Sequence, residues 1–101
     1  MNPETKIENS ACKKALQLYG VRSIKLNIKG NVGWPDRMFL IPGGQPLFIE
    51  FKKPGEPPRA VQVARKANLE KLGYKVEIYD NVNDALQEIA KALEATRLSK
   101  K

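Results

Sequence analysis

The segment from Gly33 to Lys52 constrains this chain more than any other. It reads Gly-Trp-Pro-Asp, an apolar run, Pro42-Gly43-Gly44-Gln45, a second apolar run, then Glu-Phe-Lys. Pro-Gly-Gly between two short apolar runs is a strong hairpin signal. Asp36–Ile41 and Pro46–Lys52 are therefore expected to pair as antiparallel strands. Pro35 suits the entry to the first, where no ladder donor is needed. With the turn centred near Gly43-Gly44, Asp36 is expected opposite the Phe51 region, diagonal to Glu50 and Lys52. Diagonal cross-strand neighbours lie about 7–8 Å apart, close enough for carboxylate oxygens to share one ion. Strand alternation puts Phe48, Glu50 and Lys52 on one face and Leu47, Ile49 and Phe51 on the other.

Around this hairpin the pattern predicts a mixed sheet flanked by helices, an α/β chain in the order α-β-β-β-α-β-α. The first helix spans about Pro3 to Tyr19, with Ile7, Ala11, Ala15 and Leu18 as its apolar stripe and Gly20 as its terminator. Val21–Ile28 alternates as a strand whose expected buried face carries Ile24, Leu26 and Ile28. Lys29–Trp34 is a Gly-rich loop, and Lys53–Pro58 is a polar loop stiffened by prolines. Arg59–Leu72 reads as a helix with Val61, Ala64, Asn68 and Leu72 inward, closed by Gly73. Lys75–Tyr79 is a further strand. Asn81 or Asn83 then caps a last helix with Leu86, Ile89, Ala90 and Leu93 inward. A single domain is expected over residues 1–95, with a basic, flexible tail over residues 96–101.

Composition limits the chemistry. In 101 residues there are 18 Lys+Arg against 11 Asp+Glu, a net charge of +7 that favours a polyanionic partner. No apolar run approaches the roughly 20 residues of a membrane span, so no membrane role is expected. Histidine is absent, which excludes imidazole catalysis, and the single Cys12 excludes an intrachain disulfide or a multi-cysteine zinc site. The N-terminus shows no apolar signal segment, so a cytoplasmic location is expected. Carboxylates, lysine and backbone remain, and these suit hard cations such as Mg²⁺ or Mn²⁺.

Phosphodiester hydrolysis needs an ion to polarise the phosphoryl group, an activated water, and stabilisation of the developing charge. Asp36 and Glu50 supply anionic oxygens, and the backbone carbonyl of Phe51 can add a ligand. Lys52 either takes a proton from the attacking water or stays charged, positioning that water and stabilising the pentacovalent phosphate. The charged role is favoured. Taken alone, Glu-x-Lys is more often a surface ion pair of little energetic worth. The joint pattern shifts the balance: Pro-Asp before a strand, a Gly-Gly hairpin, then an apolar strand ending in two charges.

G-W-P-D-R, the fourteen-residue step from Asp36 to Glu50, I-E-F-K-K-P-G and the following Gln62 resemble the PD-(D/E)xK nuclease superfamily. Within it they resemble the virus-type replication–repair nuclease domain, VRR-NUC, in its small stand-alone form. The resemblance runs from about Ile7 through Ile89. It implies a restriction-endonuclease-like fold with Asp36 and Glu50 as metal ligands and Lys52 as the catalytic lysine. It also implies Glu8 as the acid of the first helix and Gln62 as a catalytic-site residue on the helix after the hairpin. Glu4, one turn before Glu8, is an alternative acid. Where the family often has Ser or Thr three residues before the glutamine, this chain has Arg59, which leaves the helix cap open.

Further implications are a structure-selective endonuclease acting on branched DNA such as four-way junctions, a homodimer, and a bacterial, prophage or phage setting. A single active site in so small a chain independently favours a two-fold dimer for symmetric cutting. Arg37, Lys53, Arg59 and Arg65 flank the hairpin and are the expected phosphate contacts. Trp34 either packs under its loop or stacks on an unpaired base. The competing reading is a nucleic-acid-binding module that keeps the fold without turnover.

Overall fold

Asn2 opens the first helix: its Oδ1 accepts the Thr5 N–H at 2.8 Å, and Gly20 closes it in the left-handed region at φ 67. The computed structural model describes residues 1–30 and 32–99. Its elements are α1 (Pro3–Tyr19), β1 (Arg22–Lys25), β2 (Arg37–Leu40), β3 (Leu47–Phe51), α2 (Ala60–Lys71), β4 (Lys75–Tyr79) and α3 (Val82–Ser99). The order matches the expected α-β-β-β-α-β-α. The four strands lie in the order β1-β2-β3-β4, with β1/β2 and β2/β3 antiparallel and β3/β4 parallel. The parallel pair follows from α2, which carries the chain back across the sheet. Ile41 O accepts the Gly44 N–H at 2.9 Å, which fixes the hairpin turn where Pro-Gly-Gly predicts it.

Every residue of β3 is buried, and its alternation divides the core as expected. Leu47, Ile49 and Phe51 join Phe39, Ala11, Ala15, Ala85 and Ile89, packing the sheet against α1 and α3. On the opposite face Phe48 packs with Leu69 of α2 and Val76 of β4, flanked by Leu26, Trp34 and Met38. The last two charged residues of the β3 stretch, Glu50 and Lys52, therefore emerge on the α2 face.

Four expectations need correction. The sheet face of β1 is not buried through Ile24 and Ile28, which are exposed; Val21 is the buried residue and Leu26 is only partly covered. β1 is an edge strand, and α2 packs over the β3–β4 half of that face, leaving the β1 half open. In α1, Leu18 is exposed, and the buried stripe is Glu8, Ala11 and Ala15. In α2 the inward residues are Gln62 and Leu69, whereas Val61, Ala64, Asn68 and Leu72 face outward. The C-terminal tail is helical as far as Ser99, because α3 continues with Thr96 Oγ1 donating to Ala92 O and Arg97 paired to Glu94. The rest of that tail, residues 100 and 101, lies outside the described residues. Asn81, rather than Asn83, caps α3 by accepting the Asp84 N–H at 2.8 Å.

Candidate active site

The antiparallel register Arg37↔Ile49 puts Asp36 in line with Glu50, one residue nearer than the diagonal expectation. Asp36 Oδ2 accepts the Phe51 N–H at 2.8 Å, filling a ladder position that β2 is too short to fill. The main chain of Asp36 is held from its other side, its carbonyl accepting the Leu26 N–H at 2.9 Å. Asp36 and Glu50 are thus fixed at the common end of β2 and β3 by backbone bonds. They line a cleft of about 350 Å³ together with Glu4, Thr5, Glu8, Lys25, Phe51, Lys52, Glu56, Arg59 and Gln62.

Gln62 is oriented by the start of its own helix. Its Oε1 accepts the Arg59 N–H at 2.8 Å, and its Nε2 donates to Glu50 Oε2 at 2.6 Å. A backbone N–H can only donate, so the amide has one consistent orientation and must present its NH₂ to the carboxylate. Arg59 stands at the N-cap without a side-chain cap, and the reaching-back glutamine takes over that work. The departure from Ser or Thr at this position leaves the helix start intact.

Glu50 is buried at 7% exposure, and so is Lys52 at 6%. Lys52 Nζ stands 3.8 Å from Glu50 Oε2, and the Lys52 main chain is tied to β4 through Tyr79 O at 2.9 Å. Glu50 Oε1 is buried with no hydrogen-bond partner. Burial, then the neighbouring charge of Asp36, pushes the Glu50 carboxyl up to about 7, against the pull of Lys52 and Arg59. Asp36 is raised in the same direction, chiefly by burial, with the Phe51 N–H opposing.

Among the described residues, no three His, Cys, Asp or Glu side chains form a metal-holding group. A cation here would have two carboxylates, main-chain oxygen and water. That set fits Mg²⁺ or Mn²⁺, which keep several waters and take one or two carboxylates, and it would satisfy the orphaned Glu50 oxygen.

Glu8 reaches the cleft from α1 but is already engaged. Lys25 Nζ donates to both its oxygens, at 2.8 and 3.1 Å, and Arg37 Nε donates to Oε2 at 2.6 Å. Glu8 is therefore an ion-paired neighbour of the site, not an open ligand. Glu4 lines the cleft beside it. Of the expected phosphate contacts, Arg59 lines the cleft and Lys53 is exposed on the adjoining loop. Arg37 turns inward to Glu8, and Arg65 lies outside the cleft with its guanidinium 4.7 Å from the centre of the Trp34 ring. Trp34 thus packs between α2 and the sheet, its face covered by Arg65. Thr5 and Glu56 are cleft residues that motif reasoning missed, and Lys25, one of the chain's many candidate phosphate contacts, is instead paired to Glu8. Lys25 sits seventeen residues from its partner Glu8, a separation that carries no local signal.

No protein-family model matches the chain. It is 33% identical over 78 residues to a protein named "Putative nuclease p44" of Acyrthosiphon pisum secondary endosymbiont phage 1, covering 77% of this chain and 83% of that protein. Among solved structures it resembles one described as "VRR-NUC domain", with a TM-score of 0.73, 23% identity, and coverage of 93% of this chain and 97% of that one. A second, described as "VRR-NUC domain protein", matches with a TM-score of 0.78 at 16% identity, covering 93% and 90%.

Proposed function

Because the chain belongs to the VRR-NUC family, we propose that it is a metal-dependent, structure-selective DNA endonuclease. Its substrate on this reading is branched DNA such as four-way junctions, cut by a homodimer inside a bacterial cell in a phage or prophage setting. The observation that carries the catalytic part is the buried Glu50, with one oxygen unpartnered, beside Asp36 and Lys52 at one sheet end. The phage relative's name and the net charge of +7 support nucleic acid as the partner. Among the described residues, no helix is long and apolar enough to cross a membrane.

Asp36 and Glu50 would hold Mg²⁺ or Mn²⁺, with the Phe51 carbonyl as a further donor. When bound, the ion supplies Lewis-acid polarisation of the phosphoryl oxygen and lowers the cost of deprotonating water. The chain's own residues do the rest. Gln62 holds Glu50 by Oε2 and leaves Oε1 without a partner. Lys52 places an ammonium beside Glu50, where it can position the attacking water and offset negative charge as the phosphorus becomes five-coordinate. Water loses a proton to solvent as its oxygen bonds to phosphorus, the scissile P–O bond breaks, and the leaving oxygen takes a proton. Arg59 at the cleft wall and Lys53 on its rim draw the backbone in. Each chain carries one such site, so paired cuts in a two-fold junction call for two chains related by the same symmetry.

The test is cleavage of labelled duplex, flap and four-way substrates with and without Mg²⁺ or Mn²⁺. Wild type should cut the junction only with metal, and Glu50→Ala or Lys52→Ala should abolish cutting while junction binding persists. Full activity in either variant would remove the assignment. Retention of junctions with no cleavage under any metal would favour the binding module.

A further inference from the structure

Four carboxylate oxygens of Asp36 and Glu50 face different surroundings. Asp36 Oδ2 is taken by the Phe51 N–H, and Glu50 Oε2 by Gln62. Among the described residues Glu50 Oε1 has no partner, and Asp36 Oδ1 lies 3.8 Å from Lys25 Nζ. These are the two carboxylate oxygens left for an ion. On the other side of Asp36 the space toward Glu8 is filled. Lys25 spans it, its Nζ 2.8 Å from Glu8 Oε2 and within ion-pair reach of Asp36.

A second divalent ion shared by Asp36 and Glu8 would need the place that this ammonium holds. It would also meet Arg37, whose Nε sits on the same Glu8 oxygen. Lys25 enters from the edge strand β1 with its side chain half exposed, whereas Glu8 is buried. The ammonium is therefore a delivered charge over a fixed acid, with Glu8 anchored independently by Arg37.

We propose that Lys25 is the resident second cation of this site, occupying the position between Glu8 and Asp36 so that the site loads a single divalent ion. This rests on the nuclease reading of the same cleft. Its consequence is a site whose second positive charge is supplied by the chain, independent of metal supply. Glu8 is a positioning residue for that charge.

Mn²⁺ titrated into metal-free protein without DNA, with free Mn²⁺ followed by electron paramagnetic resonance, counts ions per chain directly. Wild type should bind one ion at the site, absent in Glu50→Gln. Lys25→Ala should bind two, Lys25→Arg one, and the double variant Lys25→Ala/Glu8→Gln one again. Lys25→Met, which keeps the stem and removes the charge, should also give two and serves if the alanine variant does not fold. Two ions in wild type, or one in a folded Lys25→Ala or Lys25→Met protein, overturns the role of Lys25 and leaves the metal-nuclease reading standing. No site-bound Mn²⁺ in wild type overturns that reading and this inference with it.

Discussion

Glu50→Gln should make the protein more stable at alkaline pH and abolish its chemistry. The Glu50 carboxyl ordinarily titrates at 4.5, and burial with the charge of Asp36 raises it to about 7 in the fold. Between these values the folded chain holds a proton that the unfolded chain has released. Stability contributed by that proton is intact below 4.5 and is lost as pH rises, the full cost being in force above about 7. The interval corresponds to about 3 kcal/mol at full ionisation. Glutamine carries no such cost. It keeps an acceptor for Gln62 Nε2, and its own NH₂ takes the direction of the unpartnered Oε1, which gives back about 1–2 kcal/mol if left unsolvated.

The variant should therefore gain roughly 1–3 kcal/mol over wild type at pH 8 and lose about 1–2 kcal/mol at pH 4, where only the cost of the unpartnered NH₂ remains. For a chain of this length each kcal/mol shifts Tm by about 4–8 °C. Urea unfolding of both proteins in chelator at pH 4, 6 and 8 reads the difference. Asp36 is raised in the same sense, chiefly by its own burial, and that burial is present in both proteins. Parallel stability curves for the two proteins between pH 4 and 8 would refute the reasoning.

Gln62→Leu removes the donor that fixes Glu50 and the bond to Arg59 N, and should weaken Mn²⁺ binding by about 10–100-fold in a calorimetric titration. Gly33→Ala puts a methyl against the Val61 carbonyl at a backbone φ of 87, and thermal melts should show a loss of roughly 1–3 kcal/mol. Phe39→Ala empties the fully buried centre of the sheet's α1/α3 face and should cost about 3–5 kcal/mol in denaturant unfolding.

The hairpin was legible because its information is local. A Pro-Gly-Gly turn and period-two alternation set both the pairing and the face of Glu50 and Lys52. What failed depends on neighbours distant in sequence. Val61 and Leu72 match a helical stripe as well as Leu69 does, but the loop at Gly33 takes Val61 and the site takes Gln62. A polar residue on the buried face of α2 defeats a reading that sorts by hydrophobicity. Ile24 and Ile28 look like core, yet one short helix does not reach over an edge strand. Arg37 and Arg65 look like a phosphate rim, and only the fold reveals Glu8 and Trp34 as their partners.

These placements bear on why so small a domain carries an expensive site. Glu8 is paired with Lys25 and Arg37, and Asp36 is partly offset by the Phe51 N–H although burial still raises its carboxyl. Glu50 is offset least: it has one strong donor, a lysine at 3.8 Å and a buried oxygen with no partner. The larger cost falls on Glu50, one of the two carboxylates that would hold a metal. A cation that binds only the folded chain adds RT ln(1 + [L]/Kd), about 2.7 kcal/mol at a hundredfold excess over Kd, which is close to the cost of ionising Glu50. Saturating Mg²⁺ should therefore flatten the wild-type fall in stability between pH 4.5 and about 7 and leave the Glu50→Gln curve unmoved. A wild-type curve with the same slope in metal as in chelator would mean that the strain at Glu50 is relieved by something other than a bound cation.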